Sequence, residues 1–129
     1  MSRKVLDASA LVALLMREPA WDQVEAAMDE GEACICAVNW AEVAGRLMRG
    51  GIAPASIRVA LDALDLDVMD LDRGLALEAG LMEARTRALG LSLEDRCCLA
   101  LAEREHATVL TTDRAWLKWK GKAKVICIR

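Results

Sequence analysis

Five short apolar runs, separated by segments long enough for helices, limit what this chain can fold into more than any other feature. They are RKVL (3–6), ACICAV (33–38), LDVMDL (66–71), TVLTT (108–112) and KVICI (124–128). Between them the spacing predicts helices over Ser9–Arg17, Pro19–Glu30, Pro54–Leu64 and Arg73–Leu89. Another is expected after Asn39 as N-cap, ended by Gly50-Gly51, and a further one after Ser92 as N-cap, with RAWL (114–117) a short helical turn. Strands alternating with helices imply right-handed crossovers and a mostly parallel sheet covered on both faces, the α/β class. In such sheets ligands bind beyond the carboxyl ends of the strands, where strand order reverses.

The first and fourth runs both end on an aspartate, Asp7 and Asp113. A carboxylate at the end of a buried strand must find water, hydrogen bonds or a cation. If those two strands are neighbours, the two carboxylates meet in one cleft. Glu42 is expected in the first turn of the helix after Asn39, opposite the stripe formed by Trp40, Val43, Ala44, Leu47 and Met48. Asp95 is expected in the first turn of the helix capped by Ser92. Each acid alone is accounted for by the helix dipole or by capping. Four together are not, because like charges about 4 Å apart repel by several kcal/mol at an effective dielectric near 20. Oxygen donors without His or Cys select Mg²⁺ or Mn²⁺, ions that keep waters and bind phosphate oxygens. Phosphodiester hydrolysis is the chemistry such a pocket suits.

With 129 residues, 55% of them hydrophobic, the chain suffices for one domain spanning 1–129 with a sizeable core. No apolar stretch approaches the roughly 20 residues of a membrane span, and Asp7 interrupts any signal-like segment, so a soluble cytoplasmic protein is expected. Five cysteines and one histidine, with no CxxC, read as buried thiols in a reducing compartment. The net charge of −3 is uneven: residues 114–129 hold six basic residues and no acid, leaving a net of −9 before them.

Taken in order, VLDASALVALL, VNWAEV, LSLEDRCCLALA and VLTTDRAW resemble the four acidic motifs of PIN-domain ribonucleases. Their order and spacing are similar to those of VapC-type toxins of bacterial toxin–antitoxin modules, over about Lys4 to Ile128. The resemblance implies a three-layer α/β/α domain with a parallel five-stranded sheet. It implies that Asp7, Glu42, Asp95 and Asp113 bind Mg²⁺ or Mn²⁺ and cleave RNA endonucleolytically. Ser9 and Thr112 would be polar neighbours holding a carboxylate or water. Glu94 departs from the small or polar residue common at that place, and is either a fifth acid or a solvated one.

The resemblance also implies a cognate antitoxin and a homodimer. An antitoxin would lay a helix or extended segment in an apolar groove, and the stripe Trp21, Val24, Met28 offers one such surface. Lys118, Lys120, Lys122 and Lys124 alternate with Trp119, Gly121, Ala123 and Val125. These lysines are candidate RNA phosphate contacts, with Trp116 or Trp119 stacking on a base, or else a charged edge with the tryptophans packed beneath. Arg46 and Arg49 are alternative phosphate contacts. Three other classes stay open. A phosphotransfer domain of haloacid-dehalogenase type wants a second acid where Ser9 stands. A receiver domain would use Asp70 or Asp72. A catalytically silent PIN-like module would bind RNA or protein without cutting.

Overall fold

Strands β1 (Lys4–Leu6), β2 (Ala33–Cys36), β3 (Asp67–Met69), β4 (Thr108–Thr111) and β5 (Lys124–Cys127) form one sheet in the order β3-β2-β1-β4-β5, every pair parallel. The computed structural model describes residues 3–129. The helices are α1 (Ala8–Leu15), α2 (Trp21–Asp29), α3 (Ala37–Arg49), α4 (Pro54–Asp62), α5 (Arg73–Leu81), α6 (Glu83–Thr86) and α7 (Leu93–Arg104), with 3-10 turns at Arg87–Leu89 and Arg114–Lys118.

Alternation along β1 explains the layers. Neighbouring strand residues point to opposite faces, so Val5 enters one core and Leu6 the other. Val5 packs with Cys34, Val109 and residues of α5 and α7, while Leu6 packs with Ile35, Leu110 and residues of α1 to α4. The result is the expected three-layer α/β/α arrangement. From β1 the chain proceeds outward through β2 to β3, then returns to place β4 on the other side of β1. The reversal therefore lies between β1 and β4, whose register sets Leu6 beside Leu110. Asp7 continues this pairing, its N–H donating to the Leu110 carbonyl at 3.2 Å.

Several boundaries differ from the sequence expectation. Instead of one helix over 73–89 there are α5, α6 and a 3-10 turn. The buried Thr86 hydroxyl donates back to the carbonyls of Met82 (2.9 Å) and Glu83 (3.3 Å), a bond that bends helices. Gly90, at φ +69°, closes the segment as expected. Helix α2 starts at Trp21 rather than at Pro19, because Ala20 is left-handed at φ +70°. Helix α3 starts at Ala37 and not after Asn39; Asn39 is its third residue, wholly buried, with its side chain committed elsewhere. Glu42 consequently lies in the second turn rather than the first.

Within the α3 stripe Val43 and Leu47 are buried, while Met48 is half-exposed and lines a hollow with Trp40, Ala44, Pro54, Ile57 and Leu61. Val24 of α2 is buried in the core with Trp21 and Met28 against it, so that stripe is mainly internal packing. Cys34, Cys36, Cys97 and Cys98 are buried free thiols, and burial pushes each above the ordinary thiol range, Cys34 and Cys97 to about 11. Cys127, on the edge strand, is partly exposed. Among the described residues no helix is long and apolar enough to cross a membrane.

Candidate metal centre

Asp7 is the floor of the site. It lies one residue past β1, at the strand-order reversal, and is only 5% exposed. Its Oδ1 accepts from the Ser9 hydroxyl (2.6 Å) and the Ala10 N–H (2.9 Å), which also makes it the N-cap of α1. Its Oδ2 accepts from the Thr111 hydroxyl at 2.7 Å. A carboxylate offers about four lone-pair positions. Three are used, and one on Oδ2 is left for a ligand. Burial is the largest influence on this carboxyl and, with the charge of Asp95 adding to it, raises its pKa to about 6 against the lowering effect of those hydrogen bonds.

The threonine that holds Asp7 is Thr111, not Thr112. Thr111 is wholly buried and its hydroxyl also accepts from the Asp113 N–H (3.0 Å), whereas Thr112 contributes its backbone N–H to Ser9 Oγ (3.0 Å). Strand alternation puts only one of two adjacent residues on the face that meets Asp7. Ser9, as expected, bonds the carboxylate directly.

Of the other acids, Asp95 is near enough for its charge to act on Asp7. Asp95 belongs to a capping box: its Oδ2 accepts from the Ser92 N–H (2.9 Å) and its N–H donates to Ser92 Oγ (3.1 Å), leaving Oδ1 uncommitted. Burial raises its pKa first, and the charges of Asp113 and Glu94 raise it further. Asp113 is exposed, its Oδ1 capping the following turn through the Ala115 N–H at 2.9 Å. Glu42 is raised mainly by burial, with Asp95 and Glu94 adding to the rise and Asn39 and Arg46 opposing it. The four predicted acids are thus linked by mutual repulsion through Asp95: to Asp7, to Asp113 and to Glu42. Among the described residues, no three His, Cys, Asp or Glu side chains are gathered tightly enough to enclose an ion by themselves.

Glu94 is half-buried and lines one hollow with Glu42, Val38, Ala41, Gly45 and Arg49. Arg46 lies 4.0 Å from Glu42 Oε2, an i,i+4 pair, so its charge is partly spent on the site itself. Arg49 stands on the rim of the hollow. Lys118 is exposed, but Trp116 and Trp119 are buried, with the Arg85 guanidinium 4.9 Å from the Trp119 ring centroid. The tryptophans are packed beneath a charged edge and are not free stacking platforms. The residue that sequence reasoning missed as part of the site is Asn39, whose Nδ2 donates to Glu42 Oε1 at 2.9 Å. An asparagine just ahead of a helical stripe reads as a cap, and nothing in the order of residues shows otherwise.

A receiver-type pocket is absent among the described residues. β3 is an edge strand separated from β1 by β2, and Asp72 caps α5 and pairs with Arg104 at 2.8 Å.

A doubly covered parallel sheet with buried and half-buried carboxylates at its strand-order reversal defines a class of acidic-cleft α/β domains. Comparison with known families narrows this: the PIN domain model matches residues 4–122, and the chain belongs to the PIN domain family. The fold is similar to that of three solved structures. A DNA-bound VapBC from Salmonella typhimurium matches at TM-score 0.78 and 17% identity, covering 98% of each chain. A toxin–antitoxin complex from Klebsiella pneumoniae matches at 0.72 and 17%, again over 98% of each. VapBC2 from Rickettsia felis, bound to a promoter DNA fragment, matches at 0.74 and 15%, covering 95% of this chain and 96% of that one. No curated protein sequence matched.

Proposed function

We propose that this protein is a divalent-metal-dependent endoribonuclease, the toxin of a toxin–antitoxin pair. The observation that carries it is Asp7: a buried carboxylate at the sheet's reversal, held by Ser9, Thr111 and the Ala10 N–H, with the charge of Asp95 acting on it and Asp95 in turn affected by Asp113 and acting on Glu42. Asp7, Asp95, Asp113 and Glu42 would hold Mg²⁺ or Mn²⁺. The ion supplies Lewis acidity, which makes water a better nucleophile at neutral pH and offsets phosphate charge. The protein's own groups do the positioning. Ser9 and Thr111 keep Asp7 oriented, Ser92 orients Asp95, and Asp113 is aimed by the turn it caps. Arg46, Arg49 and Lys118 are the candidate contacts to RNA phosphates.

An antitoxin partner is supported by the VapBC complexes among the structural neighbours. The apolar hollow between α3 and α4 suits its side chains. Leu77 and Leu81, both largely exposed on α5, suit a homodimer contact. The reduced thiols fit a cytoplasmic site of action.

The test is cleavage of defined RNAs by purified protein with Mg²⁺, with Mn²⁺ and with chelator, beside Asp7→Asn and Asp95→Asn. Metal-dependent cleavage lost in both variants is expected. Undiminished cleavage by Asp7→Asn, or by wild type in chelator, would overturn it. Expression with and without the adjacent open reading frame tests the toxin role: toxicity should be relieved by that neighbour.

A further inference from the structure

Asn39 is fully buried, and every hydrogen bond its side chain makes is a donation. One Nδ2 hydrogen goes to Glu42 Oε1 at 2.9 Å, the other to the backbone carbonyl of Glu94 at 3.0 Å. Its Oδ1 is sealed from solvent and has no partner among the described residues. The amide cannot be turned around, because both neighbours are acceptors and would meet an oxygen. A buried acceptor without a partner is costly. A near-isosteric leucine would avoid that cost at this position. The amide thus keeps one oxygen unpaired while it delivers two donors to its neighbours.

Those donors join two elements that share no sequence proximity. Glu42 sits on α3; Glu94 is the second residue of α7, beside Asp95 and within the turn fastened by the Ser92–Asp95 capping box. Arg46, 4.0 Å from Oε2, faces the other oxygen of Glu42. The carboxylate is thus pinned at Oε1 and attracted at Oε2.

We propose that Asn39 is a positioning residue of the metal centre: by clamping Glu42 of α3 to the first turn of α7, it sets where the Glu42 carboxylate stands relative to Asp95. This rests on the acidic cleft being a divalent-cation site.

The test is Mn²⁺ binding to the full chain, followed by electron paramagnetic resonance without RNA, together with thermal unfolding in chelator. Asn39→Leu removes both donors and the unpaired acceptor. Once its melting transition in chelator shows that it is folded, its Mn²⁺ dissociation constant should be raised about tenfold or more, the usual cost of losing a group that orients a ligand. Asn39→Gln, which keeps an amide donor, should recover part of the affinity. In a Glu42→Gln background, Asn39→Leu should cause little further loss, because Asn39 acts through Glu42.

Unchanged Mn²⁺ affinity in folded Asn39→Leu would overturn the proposal. So would an equal loss with and without Glu42. Should Asn39→Leu fail to fold, Asn39→Ala, which also removes both donors, decides: a loss of affinity that is absent in the Glu42→Gln background supports it, and unaltered binding refutes it. A wild type that binds Mn²⁺ but cuts no RNA would sink the nuclease assignment and leave this inference standing. A wild type that binds no Mn²⁺ would sink both.

Discussion

Replacing Asp7 by asparagine should stabilise the metal-free protein at neutral pH and lose that advantage in acid. The Asp7 carboxyl has its pKa raised from 3.8 to about 6, chiefly by burial. A carboxyl raised on folding takes up a proton that the unfolded chain would release. Its contribution to stability is therefore fully present below the unfolded value and is lost as pH rises through the folded one. At about 1.4 kcal/mol per pH unit, the shift corresponds to about 3 kcal/mol of destabilisation above pH 6. Asparagine keeps an acceptor for Ser9 and the Ala10 N–H, and its amide can donate to Thr111 in place of the reverse bond. For a domain of this size the gain is roughly 10 °C in melting temperature. The assay is calorimetry or urea unfolding in chelator at pH values of roughly 8, 6 and 4. The stabilisation should be largest at the highest pH and shrink toward the lowest. No gain at alkaline pH, or a gain undiminished in acid, would refute the claim that an ionised, buried Asp7 is a burden on the empty fold.

Three further outcomes are expected. Thr111→Val, which removes a hydroxyl bonded to Asp7 and Asp113, should cost about 2 kcal/mol in urea unfolding, while Thr112→Val, whose side chain makes no such bond, costs far less. Ser92→Ala should cost about 1 kcal/mol by dismantling the α7 capping box, measured the same way. Gly121→Ala would drive a Cβ into the Trp119 indole, so it should shift the tryptophan emission spectrum and destabilise by about 1–3 kcal/mol.

The sheet and the acids were legible in the sequence for related reasons. β1 is short and followed at once by Asp7, β4 is followed by Thr112 and Asp113, and in a parallel sheet both aspartates then lie at the carboxyl edge. Ser92 with Asp95 three residues on is a cap with an unambiguous signature, and the structure contains it. What was not legible depended on orientation at the level of one residue. Thr111 and Thr112 are chemically identical, and only the pleat of β4 decides which meets Asp7. Asn39 carries the composition of a cap but lies inside the helix, since its partners, Glu42 and the Glu94 carbonyl, are brought by tertiary packing. The break near Thr86 arises from a side chain turning back on its own helix, a competition that periodicity does not register. Trp119 alternates with lysines and Trp116 lies just ahead of them, an arrangement equally compatible with stacking outward or packing inward, and the core claimed both.

The distribution of thiols gives the molecule a built-in reporter. Four cysteines are enclosed and the fifth, Cys127, pairs in register with Thr111 at the carboxyl end of the sheet. A maleimide dye added to the native protein should couple once, at that edge strand, close to the residue that steadies Asp7. Slow labelling of the remaining four would then time the global opening of the fold, without a single engineered substitution.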